Sequence, residues 1–319
     1  MVELPRLIAA AFPKQRVARY EVLGGGLINT NLKIHCADDS TPVVLRIYRD
    51  GPGACAKEIA VHNLICRDVP VAEIIRAEPD GVDGSPSFAV LEYVEGLTFQ
   101  QLKRTNNLEA ISQASASAGE TLAQIGQFQF SAPGELLVKQ PSVELIVGRK
   151  FIEGADPIPR ILDRFLASPV FQKRADADLL KRLHNFVWSY AFLLPQVETE
   201  CSLVHNDYGN RNILVREDKG RWRVGAILDW ELAISGSPLL DVGHFLRYER
   251  PGSPLREPHF SRAFVEHGGH LPDNWQLIVK LIDLTALVEC LTQDDLPSAV
   301  EKELFELIHT TLNPGTSPQ

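Results

Sequence analysis

Apolar and polar positions alternate with a period of two through much of the first third of the chain and give way to a helical period after about Asn107. Between Val17 and Arg49, the runs VARYEVL, LINTNLKIHC and VVLRIY read as three strands, separated by the Gly24-Gly25-Gly26 break and the polar turn ADDSTP. On the third strand, alternation puts Val44, Arg46 and Tyr48 on one face and Val43, Leu45 and Ile47 on the other. A Gly51-Pro52-Gly53 turn leads into ACAKEIAVHNLICRD, which reads as a helix. There Glu58, Val61 and Ile65 fall at i, i+3 and i+7, so a carboxylate shares a face with apolar side chains. An inward carboxylate needs a cation, and Arg46 is the candidate. Two more strands, near Ala72 to Ala77 and Ser87 to Tyr93, flank a turn from Pro79 to Pro86.

Beyond Asn107 the helical stripes are long. Ala118, Leu122, Ile125 and Phe128 form one, and Leu179, Leu183, Phe186, Tyr190 and Leu193 form another within a helix predicted from about Ala177 to Leu194. Both read as packing faces. Between them lies a proline-broken stretch containing ADPIPRIL. Directly after the second helix come LVHNDYGNRNILV, Leu203 to Val215, and AILDWE, Ala226 to Glu231: aliphatic runs interrupted by clustered polar residues, as where buried strands deliver side chains to a loop. The Asp218 to Gly220 turn makes these two runs a hairpin, which brings Asn212 near Asp229. Pro272 to Leu312 carries two further amphipathic helical patterns.

Composition narrows the classes. A chain of 319 residues, 45% hydrophobic and 23% charged, is long enough for two lobes with a large core. Its net charge of −9 argues against a nucleic-acid or membrane-surface role, which would need a basic patch, but permits a nucleotide or a cationic small molecule. Cys36, Cys55, Cys66, Cys201 and Cys290 are scattered without metal-ligand spacing and read as reduced thiols. The first residues, with Glu3 and Pro5, do not read as a signal peptide, and no apolar run reaches membrane-spanning length, so the expected location is the cytoplasm.

The chemistry concentrates in Asp207, Asn212 and Asp229. An acid, an amide and a second acid converging on one point suit a hard cation with oxygen ligands, and an acid beside that cation can take a proton from an incoming hydroxyl. Magnesium-assisted phosphoryl transfer uses all three. Taken one by one, the same residues are also ordinary turn formers; their joint pattern carries the reading.

The arrangement His205-x-Asp207-x4-Asn212 followed by Ile-Leu-Asp229-Trp-Glu resembles the phosphotransferase family of aminoglycoside and choline kinases, whose catalytic layout is shared with the protein kinases. That resemblance implies an α+β, two-lobed, protein-kinase-like fold. The small N-terminal lobe, residues 1–94, would hold an antiparallel sheet and one helix; a linker at about 91–96 would lead into a larger, mainly helical lobe, 97–319. By resemblance, Asp207 is the catalytic base, and Asn212 and Asp229 hold Mg²⁺. Gly25, Gly26 and Asn29 lie in the hairpin over the nucleotide phosphates. Arg46 stands where relatives have a lysine on the phosphates, fixed by Glu58; its fork also suits phosphate oxygens. Backbone groups from Glu92 to Val94 would bond the adenine edge, while His205 and Asp241 would support the catalytic loop. The donor is expected to be ATP, with GTP as the other candidate, and the acceptor a hydroxyl of an aminoglycoside, amino alcohol, sugar or related metabolite. Oligomeric state is left open. Arg46 in place of lysine also raises a second reading, a nucleotide-binding pseudokinase without catalysis, and the carboxylates alone would suit a metal-dependent hydrolase.

Overall fold

The computed structural model describes residues 4–24, 29–38, 41–140, 142–150, 156–249 and 255–313. The small lobe contains α1 (Leu4–Ala11), β1 (Val17–Leu23), β2 (Thr30–Cys36), β3 (Val43–Ile47), α2 (Pro52–Ile65), β4 (Ile74–Glu78) and β5 (Phe88–Glu92). Its sheet has the order β1-β2-β3-β5-β4, and every neighbouring pair is antiparallel. The alternation along β3 sorts the two faces. Leu45 packs with Leu32, Ile34 and Phe88 under Leu7 and Phe12, so α1 covers that face. Tyr48 packs with Cys55 and Ala89 on the other, against α2. The lobe thus holds one helix more than expected; α1 supplies apolar cover for a face that would otherwise be wet. Gly51, at φ 80°, turns the chain into α2, and Pro52 opens the helix where a missing N–H costs nothing.

The larger lobe begins with β6 (Leu97–Thr98), α3 (Phe99–Arg104) and α4 (Leu108–Ile125). The Asn107 side chain caps α4 by accepting from the Ala110 N–H at 3.1 Å. The stripe through Ala118, Leu122 and Ile125 is fully buried, with Phe128 half-buried at its end. The proline-rich segment then contains a hairpin absent from the expectation, β7 (Gly134–Lys139) with β8 (Glu144–Val147), before α5 (Pro157–Leu166) and α6 (Pro169–Arg174). Its strands are short and half exposed, so they carry little of the apolar alternation that marks a strand. The helix predicted to reach Leu194 stops earlier: α7 runs Ala177–Ser189, followed by a 3₁₀ turn at Ala191–Leu193 and α8 (Pro195–Glu198). Pro195 has no N–H to return to the Ala191 carbonyl, so the α ladder cannot pass through it.

The functional segments follow: β9 (Ser202–Val204), β10 (Ile213–Asp218), β11 (Arg221–Ile227), β12 (Ile234–Gly236), and then α9 (Leu239–Leu246), α10 (His259–Glu266), α11 (Trp275–Cys290) and α12 (Ser298–Leu312). β10 and β11 form the expected hairpin, joined by Lys219 and Gly220 at φ 51° and 78°, the left-handed pair that a tight two-residue turn requires. β6 pairs with β10, so the chain entering this lobe is stitched to the hairpin. A side chain at Gly96 would put its Cβ 2.7 Å from the Val215 carbonyl oxygen, so glycine is what permits that approach.

Candidate active site

His205, delivered by the buried strand β9, is the centre of a hydrogen-bonded frame. Its backbone N–H donates to Asp241 Oδ2 at 2.6 Å and the Asn206 N–H donates to Asp241 Oδ1 at 2.9 Å. One fully buried carboxylate in the first turn of α9 therefore grips two consecutive amides of the loop. The His205 ring bonds the Leu228 carbonyl through Nε2 at 2.8 Å and receives the Asp207 N–H at Nδ1 at 3.2 Å. Those partners assign the Nε2–H tautomer, neutral. Burial pushes the imidazole down to about 4, against the opposing pull of the Leu228 carbonyl and Asp229. Burial likewise pushes Asp241 up to about 7, partly offset by the amides it accepts. Tyr208 is buried and donates from its hydroxyl to the Ala118 carbonyl at 2.8 Å, pinning the loop to α4. Its side chain's only polar atom is thus turned into the core.

The His205 frame has a pH consequence. A folded-state value below the ordinary one means that the unfolded chain binds the proton more tightly, so this group's contribution is present above about pH 6.5 and is lost as pH falls toward 4. Asp241 runs the opposite way, its contribution being lost as pH rises from about 4 to 7. Comparing wild type with His205→Asn isolates the histidine. The difference in unfolding free energy, read from urea midpoints between pH 7 and 4.5, is expected to shrink by up to about 3 kcal/mol toward acid pH. A pH-independent difference would contradict the buried neutral ring.

Asp207 follows at the cleft. The residue is exposed. Desolvation, followed by the Asp229 charge, pushes its carboxyl up to about 6, while Asn212, Arg247 and Arg211 pull it down. The Asn212 amide nitrogen donates to Asp207 Oδ2 at 2.7 Å and to the Asp207 carbonyl at 3.0 Å. Both amide hydrogens are thus turned to the acid, which leaves the carboxamide oxygen as the group Asn212 can offer to a cation. The Leu228 N–H donates to the Asn212 carbonyl at 2.8 Å, so the hairpin places Asp229 beside Asn212 despite 16 intervening residues.

Asp229 sits at φ 71°, ψ 66°, a left-handed conformation that costs a non-glycine residue energy and aims its carboxylate at the small lobe. There it meets Arg46, whose Nη2 lies 2.5 Å from Asp229 Oδ1 while Nε lies 3.0 Å from Glu58 Oε2. The inward carboxylate on α2 and the arginine on β3 are therefore brought together, and the Tyr48 hydroxyl donates to Glu58 Oε2 at 2.6 Å. Burial alone would lower the Arg46 guanidinium, but Glu58 and Asp229 outweigh it and hold the charge firmly on. Burial raises Glu58 against the opposing pull of Arg46.

The remaining nucleotide-side candidates divide. Gly25 and Gly26 lie outside the described residues. Asn29 is buried, with its side chain engaged in the protein: Oδ1 accepts from the Arg49 N–H at 3.2 Å and Nδ2 donates to Glu231 Oε2 at 2.7 Å. In the linker, the Glu92 N–H is taken by the Glu73 carbonyl at 2.8 Å, while Val94 makes no hydrogen bond among the described residues. Lys57 crosses between lobes to the Ala233 carbonyl at 3.3 Å.

Two residues went unrecognised in the sequence. Glu231 is buried and joined to the small lobe through Asn29. Arg256, fully buried, pairs with Glu249 at 2.7 Å, donates to the Phe245 carbonyl and reaches Asn210 Oδ1 at 3.2 Å, bracing the catalytic loop from α9. No local signal distinguishes Arg256 from a surface arginine. A cavity of about 840 Å³ runs along α2 and β7, with Lys57 and Glu231 in its walls, but none of Asp207, Asn212 or Asp229 lines it.

Among the described residues no group of three His, Cys, Asp or Glu side chains is arranged to hold an ion. The donor set present, one carboxylate and one amide oxygen, fits magnesium, which keeps waters and takes further ligands from substrate phosphates.

These elements are those of a kinase-like phosphotransferase, and comparison places the chain among them. The sequence profile of the family described as "Phosphotransferase enzyme family" matches residues 19–276; the chain belongs to that family. Its structure is similar to that of a thermostable mutant of aminoglycoside phosphotransferase APH(4)-Ia in ternary complex with ADP and hygromycin B, with a TM-score of 0.71, 17% identity and coverage of 99% of this chain and 100% of that one. The GDP complex of wild-type aminoglycoside 2'-phosphotransferase-IIIa is also similar, with a TM-score of 0.69, 17% identity and 98% of each chain covered. At such identities the likeness establishes the two-lobed, α+β fold. Among curated proteins, mouse acyl-CoA dehydrogenase family member 11 is 35% identical over 82 residues, which are 25% of this chain and 9% of that protein.

Proposed function

We propose that the chain transfers the γ-phosphoryl group of ATP to a hydroxyl of a small molecule, with magnesium. The observation that carries this reading is the posture of Asn212, which turns its amide hydrogens to Asp207 and keeps its oxygen for a cation, with Asp229 beside it across the hairpin. A bound magnesium would supply charge neutralisation for the phosphates, and Asn212 and Asp229 would hold it. Asp207 orients the acceptor hydroxyl and accepts its proton. Arg46, fixed by Glu58, presents its fork to the phosphates, and the Val94 backbone is free for the adenine edge. The proposed division is a nucleotide lobe of residues 1–94, a linker at 91–96 and a catalytic and acceptor lobe of 97–319.

The similar solved structures hold ADP or GDP, and one holds hygromycin B. This supports a nucleotide donor and a hydroxyl-rich acceptor, GTP being the alternative donor and an amino alcohol, sugar or related metabolite the alternative acceptors. A cytoplasmic location is part of the proposal and accords with cysteines that form no disulfide among the described residues. The competing pseudokinase reading draws on arginine in place of lysine at position 46 and on its direct pair with Asp229, a residue proposed as a metal ligand. Incubation with γ-labelled ATP, magnesium and a panel of such hydroxyl compounds separates them. Transfer of label to one compound, or slow magnesium-dependent hydrolysis without one, supports the enzyme. Binding of nucleotide with neither outcome supports the pseudokinase.

A further inference from the structure

Side-chain contacts that join the small lobe to residues 229–233 include Arg46 with Asp229, Lys57 with the Ala233 carbonyl, Glu58 with the Trp230 backbone and Asn29 with Glu231. The last is built differently from the others. Asn29 and Glu231 are both buried, and their bond of 2.7 Å joins residues 202 apart in sequence. Asn29 precedes β2, and its oxygen is anchored to the Arg49 N–H just past β3, so its side chain is fixed at both ends. Glu231 belongs to the 3₁₀ turn Trp230–Leu232, immediately after Asp229, and the same Oε2 that accepts from Asn29 lies 3.8 Å from Arg46 Nη2. One carboxylate oxygen therefore references the β2 and β3 ends of the small lobe to the strand that carries Asp229.

We propose that Glu231 is a positioning residue that keeps the two lobes in register across the nucleotide cleft, acting through Asn29. The kinetic consequence rests on the phosphotransfer reading above; the contact itself does not. Arg46 and Asp229 also bridge the lobes, but both have partners to serve in the phosphotransfer reading, the phosphates and the cation. The Asn29 side chain is committed at both ends within the protein, to the Arg49 N–H and to Glu231. With the Lys57–Ala233 contact beside it, the Asn29–Glu231 bond keeps its partners when phosphates and a cation are bound, and it holds the spacing between Arg46 and the Asn212–Asp229 pair. A nucleotide that spans both lobes would then bind a preformed distance instead of imposing one.

The test is a reciprocal swap. Asn29→Asp sets a carboxylate against Glu231, and since a buried charge-assisted hydrogen bond is replaced by repulsion, nucleotide KM is expected to rise about ten- to a hundredfold with a much smaller change in kcat. Adding Glu231→Gln restores a donor opposite an acceptor, because the glutamine amide can donate to Asp at position 29. The double variant is expected to recover most of the lost KM and of the lost unfolding midpoint measured without nucleotide. A double variant no better than Asn29→Asp in both measurements would overturn the tether. If the swap rescues only the midpoint while KM stays raised, Glu231 is a stability contact and the positioning role is overturned. Should the midpoint be rescued in a protein whose wild type shows no magnesium-dependent nucleotide binding at all, the tether stands and the phosphotransfer reading falls.

Discussion

Replacing Asp207 with Asn is expected to lower kcat about 10²- to 10⁴-fold, the usual contribution of a positioned base, while nucleotide affinity changes little. The structure separates these two effects. Asp207 is held in the cleft by Asn212 and by its own N–H on His205, and it makes no contact with Arg46 or Glu58. The asparagine has nearly the same shape and can still offer an oxygen to the Asn212 amide, so the loop should keep its geometry. What it loses is the ability to accept a proton from an attacking hydroxyl. Circular dichroism and an unfolding midpoint near wild type would establish that the loss is chemical. The acid's raised value agrees with the role: desolvation and then the Asp229 charge hold it at about 6, and a cation on Asp229 would relieve the second influence and favour the ionised base. Turnover near wild type in this variant would remove Asp207 from the mechanism.

The second large effect is expected from Asp229→Ala, and it falls on magnesium and nucleotide together. One carboxylate is the sole charged ligand assigned to the cation, and losing it should cost about 10²- to 10³-fold in kcat/KM with a steeply raised magnesium requirement. The variant also strips Arg46 of its 2.5 Å partner, leaving the guanidinium to Glu58 and, more distantly, Glu231. An uncompensated buried pairing is destabilising, so the melting temperature should fall as well. Asp229→Asn separates these consequences, since it keeps a hydrogen-bond acceptor for Arg46 but offers the cation a neutral oxygen. Titrating magnesium against both variants is the check. An unchanged magnesium dependence in either would remove Asp229 as a ligand.

Much of this site is legible in the chain because its parts are local. Asp207 and Asn212 are five residues apart on one loop, and Asp229 comes back beside them through a hairpin whose turn residues are plain in the sequence. The Arg46–Glu58 pair is longer in range, yet each half announces itself: an arginine on a strand face opposite Leu45, and a glutamate on the apolar face of a helix. Asp241, four residues beyond Ser237, is singled out in the sequence only through the family pattern; its grip on two backbone amides has no sequence signature. Tyr208, Glu231 and Arg256 are the converse. Their significance lies in partners 90, 202 and 46 positions away, and nothing in a local period encodes such a distance. The β7–β8 hairpin was hidden for another reason, its strands being short and half exposed. The end of α7 was missed because an apolar stripe can continue through a 3₁₀ turn without change of period.

The measurement closest to the central claim is the unfolding temperature of the wild-type protein with ATP, ADP or GTP, each with and without magnesium. A nucleotide at a hundred times its dissociation constant stabilises the native state by about 2.7 kcal/mol, a readily measured rise. That rise is expected with magnesium and a much smaller one without it, if Asn212 and Asp229 hold the cation as proposed. A chain that melts at the same temperature with every nucleotide, magnesium present or absent, would contradict the proposal.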